Sequence, residues 1–533
     1  MIDNIENYKF DLNPNIIRTT KQRIDMVLDP NCPADVLKIV ALHDTDNTVI
    51  ELCAISCNTT SEICNIVMSR LNVTMEYIEL SKKYWQRTDI KNSLCILPWI
   101  HAATTSNGSL KMCCQMIYPV NDMPYGELRK DDGTLLTNAD DIDLHRNVTN
   151  WKKIRQLMLE GKRPDACKLC WDDEKNGMGS QRQVYNELFG ADIRLALKET
   201  SHDGIIDPVT FPIKYWDIRF GNKCNLACRS CSPADSDMWY KDWMLLYDDD
   251  TFKNKNNDTI HIVTSEKGQL SSTPDVYNWY NDSKLIDYLE KNIHVIQRFY
   301  FTGGEPTVNI THRKLLDYII KTDYAKNITL VYNTNMAVLH TKLFDQWKQF
   351  KKVELGMSID GIHNHFEYIR HPGKWNVVER NMIKIDNEPG LEHVAACITM
   401  TVSILNVLHL LDVIVWMKEQ KWKRIETNIA IHNLYTPGYL NIQNATIPMK
   451  QYITDRYTTF LTDIKHRFSD DINWYTIVES ILNGITTHMN SAQNNVDVFN
   501  RGIEIIKKLD TIRNENFESS LPELYAMIER CKE

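Results

Sequence analysis

At 533 residues the chain is too long for one typical core, so two or three domains are expected. Hydrophobic residues at 43% and charged residues at 25% describe an ordinary globular composition, and a net charge of −9 offers no global basic field for nucleic acid. There is no run of about 18 apolar residues to span a membrane, and the start Met1-Ile2-Asp3-Asn4 lacks the basic and apolar stretches of a signal peptide. The chain is therefore expected to stay in the cytoplasm, where its fourteen cysteines serve as reduced thiols and metal ligands rather than as disulfides.

Residues 1–92 carry an internal similarity. The segment from Asn31 through Val40 aligns with that from Asn58 through Val67 at an offset of 27 residues, with Asn, Thr or Ser before each apolar run as cap signals. This resembles the short helical-repeat modules related to HEAT and leucine-rich-variant arrays. Cys53, Cys57 and Cys64 are expected to pack in that region as small hydrophobes, because Leu52, Cys53, Ser56 and Cys57 recur at helical spacing.

Residues 93–211 bring distant cysteines into one region: Cys95 before Pro98-Trp99, Cys113-Cys114 shortly after Gly108, and Cys167 and Cys170 as a C-x2-C pair before Trp171. Asn107-Gly108 signals a two-residue hairpin, which carries Cys113 back along the chain toward Cys95. On residue types alone, Cys95, Cys113, Cys167 and Cys170 suit a four-cysteine zinc ion or a fully ligated [4Fe-4S] cluster equally, with Cys114 spare or in place of Cys113. A thioredoxin-like redox pair at Cys167 and Cys170 would need a βαβ setting that the sequence lacks.

Residues 212–447 alternate short apolar runs, at 215–220, 295–301, 328–332, 353–359, 394–402 and 425–431, with amphipathic stretches such as 313–320 and 405–417. These read as six βα units forming a parallel sheet, an open partial TIM barrel whose active-site residues sit after the C-terminal ends of the strands. The first strand is followed by Cys224, Cys228 and Cys231 at C-x3-C-x2-C spacing, the second by Gly303-Gly304-Glu305-Pro306, the third by Asn333-Thr334-Asn335 and the fourth by Ser358-Ile359-Asp360-Gly361. Three thiolates on one short loop can hold three irons of a [4Fe-4S] cube and leave the fourth open to an exogenous ligand. A polar insertion at 248–283 reads as a surface loop or lid. His363, His365 and His371 read as solvated, residues 448–533 turn helical without evident chemistry, and Cys531 is spare.

The cysteine triplet together with the Gly-Gly-Glu-Pro segment closely resembles the radical S-adenosylmethionine (SAM) superfamily. The resemblance implies that the open iron chelates SAM, that one-electron reduction splits it to methionine and a 5'-deoxyadenosyl radical, and that the radical abstracts a substrate hydrogen. It also implies that Gly303, Gly304, Glu305 and Pro306 line the SAM site, with Glu305 taking the methionyl ammonium, and that Ser358, Asp360 and Asn335 contact SAM. Arg370 matches a family segment near the substrate face, without an assigned role. Ser230 stands where an aromatic residue often packs on adenine, so the adenine is expected near Ile429 to Ile431. The set Cys95, Cys113, Cys167 and Cys170 resembles the twitch form of the auxiliary-cluster SPASM domains. Here it precedes the core, as in similar proteins of marine tailed phages. The resemblance thus implies two [4Fe-4S] clusters, SAM, a low-potential donor such as flavodoxin or ferredoxin, and a peptide or protein substrate. A small-molecule substrate is the first alternative, and a non-enzymatic assembly protein that keeps the cluster for binding is the second.

Overall fold

The computed structural model describes residues 90–531, apart from 91, 117–129, 135, 138–141, 176, 178, 255–257 and 282–283, together with three strands in the region before them. These strands are β1 (Ile24–Val27), β2 (Leu37–His43) and β3 (Thr48–Ala54), paired antiparallel in that order. Their presence corrects the expected helical repeat. Leu37-Lys38-Ile39-Val40 and Val49-Ile50-Glu51-Leu52 are runs rich in β-branched residues on either side of the turn-forming Asp44-Thr45-Asp46-Asn47, and that composition favours a hairpin. Cys53 lies in β3, while Cys57, Cys64 and the second copy of the repeat lie outside the described residues.

The chain divides into two compact units, Met1–Trp99 with Arg146–Trp171 and Gly179–Phe211, and Ile100–His145 with Asp172–Met178 and Pro212–Glu533. The stretch 93–211 is thus shared between them. In the first unit the helices Thr149–Leu159, Gln181–Leu188 and Gly190–Glu199 surround buried Trp99 and Trp151. Two buried arginines satisfy loop carbonyls there. Arg155 donates to Gly204 O at 2.7 Å and Arg146 O at 2.8 Å, and Arg146 donates to the carbonyls of Phe211 and Trp99. A buried carbonyl left without a partner costs about 1–3 kcal/mol.

The second unit is built on an eight-stranded sheet. Its strands are β4 (His101–Thr104), β5 (Leu110–Lys111), β6 (Tyr215–Arg219), then, after an insertion, β10 (Arg298–Thr302), β11 (Thr329–Thr334), β12 (Lys352–Ser358), β13 (Val394–Val402) and β14 (Ile425–Asn433). The insertion is itself a three-stranded antiparallel sheet of β7 (Thr251–Lys253), β8 (Thr259–Thr264) and β9 (Leu270–Thr273) rather than a structureless loop. The order of the large sheet is β14-β13-β12-β11-β10-β6-β4-β5. All six expected strands are present and parallel. The hairpin at Asn107-Gly108 also forms, but its first strand pairs parallel with β6 and so extends this sheet.

The crossover helices pack on one face. Along β13 the residues Val394, Ala396, Ile398, Met400 and Val402 are buried and the alternate ones half-buried, the period-2 pattern of a strand with one covered face. Phe301 and Tyr332 of the sheet meet His312 of the helix Ile310–Lys321 and Trp347 of the helix Thr341–Trp347 edge-on or tilted, with successive centroid separations of 4.6, 5.4 and 5.5 Å. Burial of each large side chain contributes about 1.5–3 kcal/mol. Register puts Asp217, Arg219 and Thr302 on the opposite face, where Thr302 Oγ1 donates to Asp217 Oδ1 at 3.4 Å. The helices Ile447–Arg467, Ile472–Asn490 and Val496–Arg513 complete the unit, and no helix among the described residues is long and apolar enough to cross a membrane.

Candidate functional site

The loop after β6 is held from every side by backbone contacts. Lys223 O accepts from Glu305 N at 2.9 Å, Cys224 N donates to Asp237 Oδ1 at 3.0 Å, and Ala227 N and Arg229 N donate to His371 O and Ile369 O at 2.6 and 2.8 Å. Cys228 O accepts from Trp239 Nε1 at 2.9 Å, and Ala227 O from Arg513 Nη2 at 2.8 Å. Residues 222–237 therefore form a rigid platform that carries Cys224, Cys228 and Cys231 together. Gly303 and Gly304 have positive φ, and a Cβ on Gly304 would lie 2.2 Å from Lys223 O. Glycine is required there because one loop lies directly on the other.

The three thiols interact. Cys224 is pushed up to about 12, first by burial and then by Cys228 and Glu305. Cys228 is held below the usual thiol range, first by its hydrogen bond with Cys231 and then, against the opposing effect of burial, by the Arg370 and Arg513 guanidiniums; Cys231 is driven up by the same hydrogen bond. The two thiols thus shift in opposite directions through their shared hydrogen bond, and it is the thiolate form of cysteine that ligates metal. No described cysteine is in a disulfide. No three His, Cys, Asp or Glu side chains among the described residues are grouped to hold a single metal ion. Three thiols on one loop, one buried and two half-buried, with cationic support fit an iron–sulfur cluster, which spreads its ligands over several irons.

Around the triplet, Asn335 is placed by its backbone N–H, which donates to Glu305 Oε2 at 2.7 Å. Its amide nitrogen reaches Asn225 Oδ1 at 2.9 Å and Cys224 Sγ at 3.9 Å. Glu305 is only 1% exposed. Its Oε1 accepts from Thr307 N, Thr307 Oγ1 and Thr334 Oγ1 at 3.0, 2.7 and 2.9 Å. Burial raises its carboxyl above the usual range, and these hydrogen bonds pull it back in part. With three donors on Oε1 and one on Oε2, the second oxygen keeps a lone pair for a ligand. Pro306 is buried at the start of the short helix that Glu305 caps. Ser358 is half-buried at the C-terminal end of β12, in register with Thr399.

Asp360 has one protein partner on each oxygen: Oδ1 accepts from Thr401 N at 3.0 Å and Oδ2 pairs with Arg370 Nη2 at 2.8 Å. Arg370 then places Nη1 3.9 Å from Cys228 Sγ. Ile429 is buried and Ile431 half-buried on β14. Sequence reasoning left Arg370 without a role and missed Arg229. The position of Arg229 inside the cysteine loop was a usable signal, because a cation among buried thiols needs partners.

In the first unit Cys95, Cys167 and Cys170 come together. Burial first, then Cys167 and Cys170, drive the Cys95 thiol up, while burial and Cys170 push Cys167 up to about 12. The backbone around Cys95 is clamped by Arg182 Nη1 and Asn186 Nδ2 on Leu94 O at 3.0 and 2.7 Å, and by Ile96 N on Asn186 Oδ1 at 2.9 Å. Trp171 lies between the Arg163 and Arg182 guanidiniums, 5.0 and 5.1 Å from its ring. Cys113 and Cys114 belong to the second unit. There Cys114 is raised first by its hydrogen bond with Cys113 and then by burial, with Asp217 and Arg219 as further charged neighbours.

The sequence of the barrel decides the family of this part. Residues 218–400 match the Radical SAM superfamily. They form a radical SAM domain. The matched residues contain the cysteine loop, Glu305, Asn335, Asp360 and Arg370 described above. Solved structures similar to the chain are radical SAM enzymes. One is native anSMEcpe with bound AdoMet and the Cp18Cys peptide, at 16% identity and a TM-score of 0.30, with 48% of this chain and 60% of that one covered. The chain thus spans about 60% of the length of anSMEcpe. Another is Streptococcus suis SuiB bound to the precursor peptide SuiA, at 12% identity and a TM-score of 0.28, with 62% and 67% covered. A third, the methyltransferase TsrM of Kitasatospora setae with cobalamin and a [4Fe-4S] cluster, has 13% identity, a TM-score of 0.21 and 28% coverage of each chain. No curated protein matches the sequence.

Proposed function

We propose that the protein is a radical SAM enzyme with two [4Fe-4S] clusters that abstracts a hydrogen from a peptide or protein, drawing electrons from a low-potential donor of the flavodoxin or ferredoxin class. The observation that carries this reading is the loop of Cys224, Cys228 and Cys231, which gathers three interacting thiols after the first strand of the radical SAM domain. A [4Fe-4S] cluster bound there would supply the one-electron chemistry for reductive cleavage of SAM. Cys224, Cys228 and Cys231 would hold it, and Glu305 would take the methionyl ammonium on Oε2, a charge-assisted hydrogen bond. The Gly303-Gly304 turn lets the Glu305 loop lie directly on the cysteine loop. Ser358 would bind SAM from the end of β12. The peptide substrate rests on the resemblance of the second cysteine set to twitch domains.

That second set would hold the auxiliary cluster through Cys95, Cys167 and Cys170, the three cysteines gathered in the first unit. Its test is a metal count. Anaerobically reconstituted protein should carry about eight irons, two cubes of four. The Cys167→Ala/Cys170→Ala variant should carry about four, with sulfide falling in parallel. Zinc in place of the lost iron in the wild-type protein would refute the cluster at that position.

SAM binding tests the other site. Addition of SAM should change the electron paramagnetic resonance (EPR) spectrum of the reduced wild-type protein and leave that of Cys228→Ala unchanged. An unchanged spectrum in fully loaded wild-type protein would contradict the reading.

A further inference from the structure

We propose that Arg370, held by Asp360, is a positioning residue that sets the reduction potential of the cluster on Cys224, Cys228 and Cys231, and that the Asp360 carboxylate offsets part of the charge Arg370 brings there. The inference rests on the radical SAM reading of the cysteine loop. Arg370 lies between the two groups: Nη2 is 2.8 Å from Asp360 Oδ2 and Nη1 is 3.9 Å from Cys228 Sγ. The side chains of both charged residues are almost wholly inaccessible to water, at 11% for Arg370 and 2% for Asp360.

Burying such a pair brings a desolvation penalty that apolar side chains of equal volume would avoid, so packing alone does not account for it. Asp360 is itself anchored on several sides. Its Oδ1 is taken by Thr401 N, its Oδ2 by Arg370, and its backbone carbonyl by Asn406 Nδ2 at 3.1 Å. These contacts fix the carboxylate, and the carboxylate fixes the guanidinium. The remaining guanidinium edge faces the sulfur, and Nε is buried without a hydrogen-bond partner.

A donor and a positive charge beside a ligating sulfur stabilise the more negative, reduced state, and hydrogen bonds to sulfur are among the determinants of cluster potential. Asp360 opposes part of that charge. The potential should therefore respond to the two residues in opposite directions, whereas a merely structural role would give losses of the same kind for both.

The experiment is an EPR-monitored redox titration of the reconstituted full-length protein, following the signal that responds to SAM, in wild type, Arg370→Gln, Arg370→Lys and Asp360→Asn. Iron and sulfide are counted in each sample. For Arg370→Gln the reduced-to-oxidised ratio at a fixed applied potential should fall about tenfold, which is about 59 mV for a one-electron couple. Arg370→Lys should recover most of the loss, and Asp360→Asn should shift the ratio the other way. Unchanged midpoints, or shifts of the same sign in Arg370→Gln and Asp360→Asn, would overturn the proposal. Failure of the wild type to load iron, or of its signal to respond to SAM, would instead overturn the functional reading beneath it.

Discussion

Replacing Arg229 with alanine should destabilise the cluster-free protein by about 3–5 kcal/mol, the range for breaking one side of a buried ion pair, and should prevent iron loading at the loop. The Arg229 side chain is 2% exposed, and its Nη2 lies 2.5 Å from Asp510 Oδ1 and 2.6 Å from Glu515 Oε2, carboxylates that are themselves 11% and 18% exposed. Its Nε donates to Tyr368 O at 3.0 Å, and the guanidinium sits 3.7 Å from the Tyr368 ring centroid. Alanine would leave two inward-facing carboxylates without their cation.

Asp510 would retain Tyr368 OH and Phe517 N, at 2.7 and 2.6 Å, and Glu515 would retain His371 at 2.7 Å. Those contacts limit the loss but leave both carboxylates without the Arg229 charge. The C-terminal helices are thereby part of the cluster loop's support, with Arg513 adding its hydrogen bond to Ala227 O. Urea denaturation of the apoprotein measures the effect. Arg229→Lys should fall between wild type and alanine, because lysine keeps the charge but not the planar fork. A change below about 1 kcal/mol in Arg229→Ala would place the pair in the range of weak surface bridges and remove the C-terminal helices from this role.

Gly304→Ala is the second large effect. Its φ of 53° is a conformation that L side chains rarely adopt, and the added Cβ would lie 2.2 Å from Lys223 O and 2.8 Å from Lys223 C. The left-handed backbone alone costs about 1–3 kcal/mol. The overlap is with backbone, which has no rotamer to change, so the Gly-Gly-Glu turn must move off the cysteine loop. Glu305 N would then lose its bond to Lys223 O, and the carboxylate would move relative to Cys224. The expected result is a stability loss above about 3 kcal/mol, in the class of overpacked buried sites, together with loss of the SAM-dependent spectral change. Gly438→Ala is the control: no atom lies within 4 Å of its added Cβ, so it should stay within about 0.5 kcal/mol of wild type. Equal behaviour of the two variants would contradict the close loop packing.

The sheet was largely legible because each parallel strand is a short apolar run bounded by polar turn residues, and because motif residues sit after strand ends. The second strand runs Arg298–Thr302 where 295–301 was expected; Val295 and Ile296 are apolar, but they belong to the turn that leads into it. Pairing of His101–Thr104 with β6 was not legible, since nothing local to a four-residue strand names a partner more than a hundred residues away. The strands at 37–54 were misread because a short apolar run fits a helix or a strand, and the cap-like residues before it favoured the helix. In the polar insertion, β8 buries only Ile260 and Ile262 and exposes the rest, so its composition resembles a loop. At the site, the cysteines and Glu305 were visible as motifs. The partnership of Arg229 with Asp510 was not, because the two are 281 residues apart in sequence and meet only through the fold.

The most direct test of the enzymatic reading is reductive cleavage of SAM by the anaerobically reconstituted full-length protein. 5'-Deoxyadenosine should form with a low-potential reductant, should not form without it, and should be absent in Cys228→Ala. Protein fully loaded with iron and sulfide that makes no 5'-deoxyadenosine under reduction, even with candidate peptides present, would contradict the account and return the chain to a cluster-bearing scaffold.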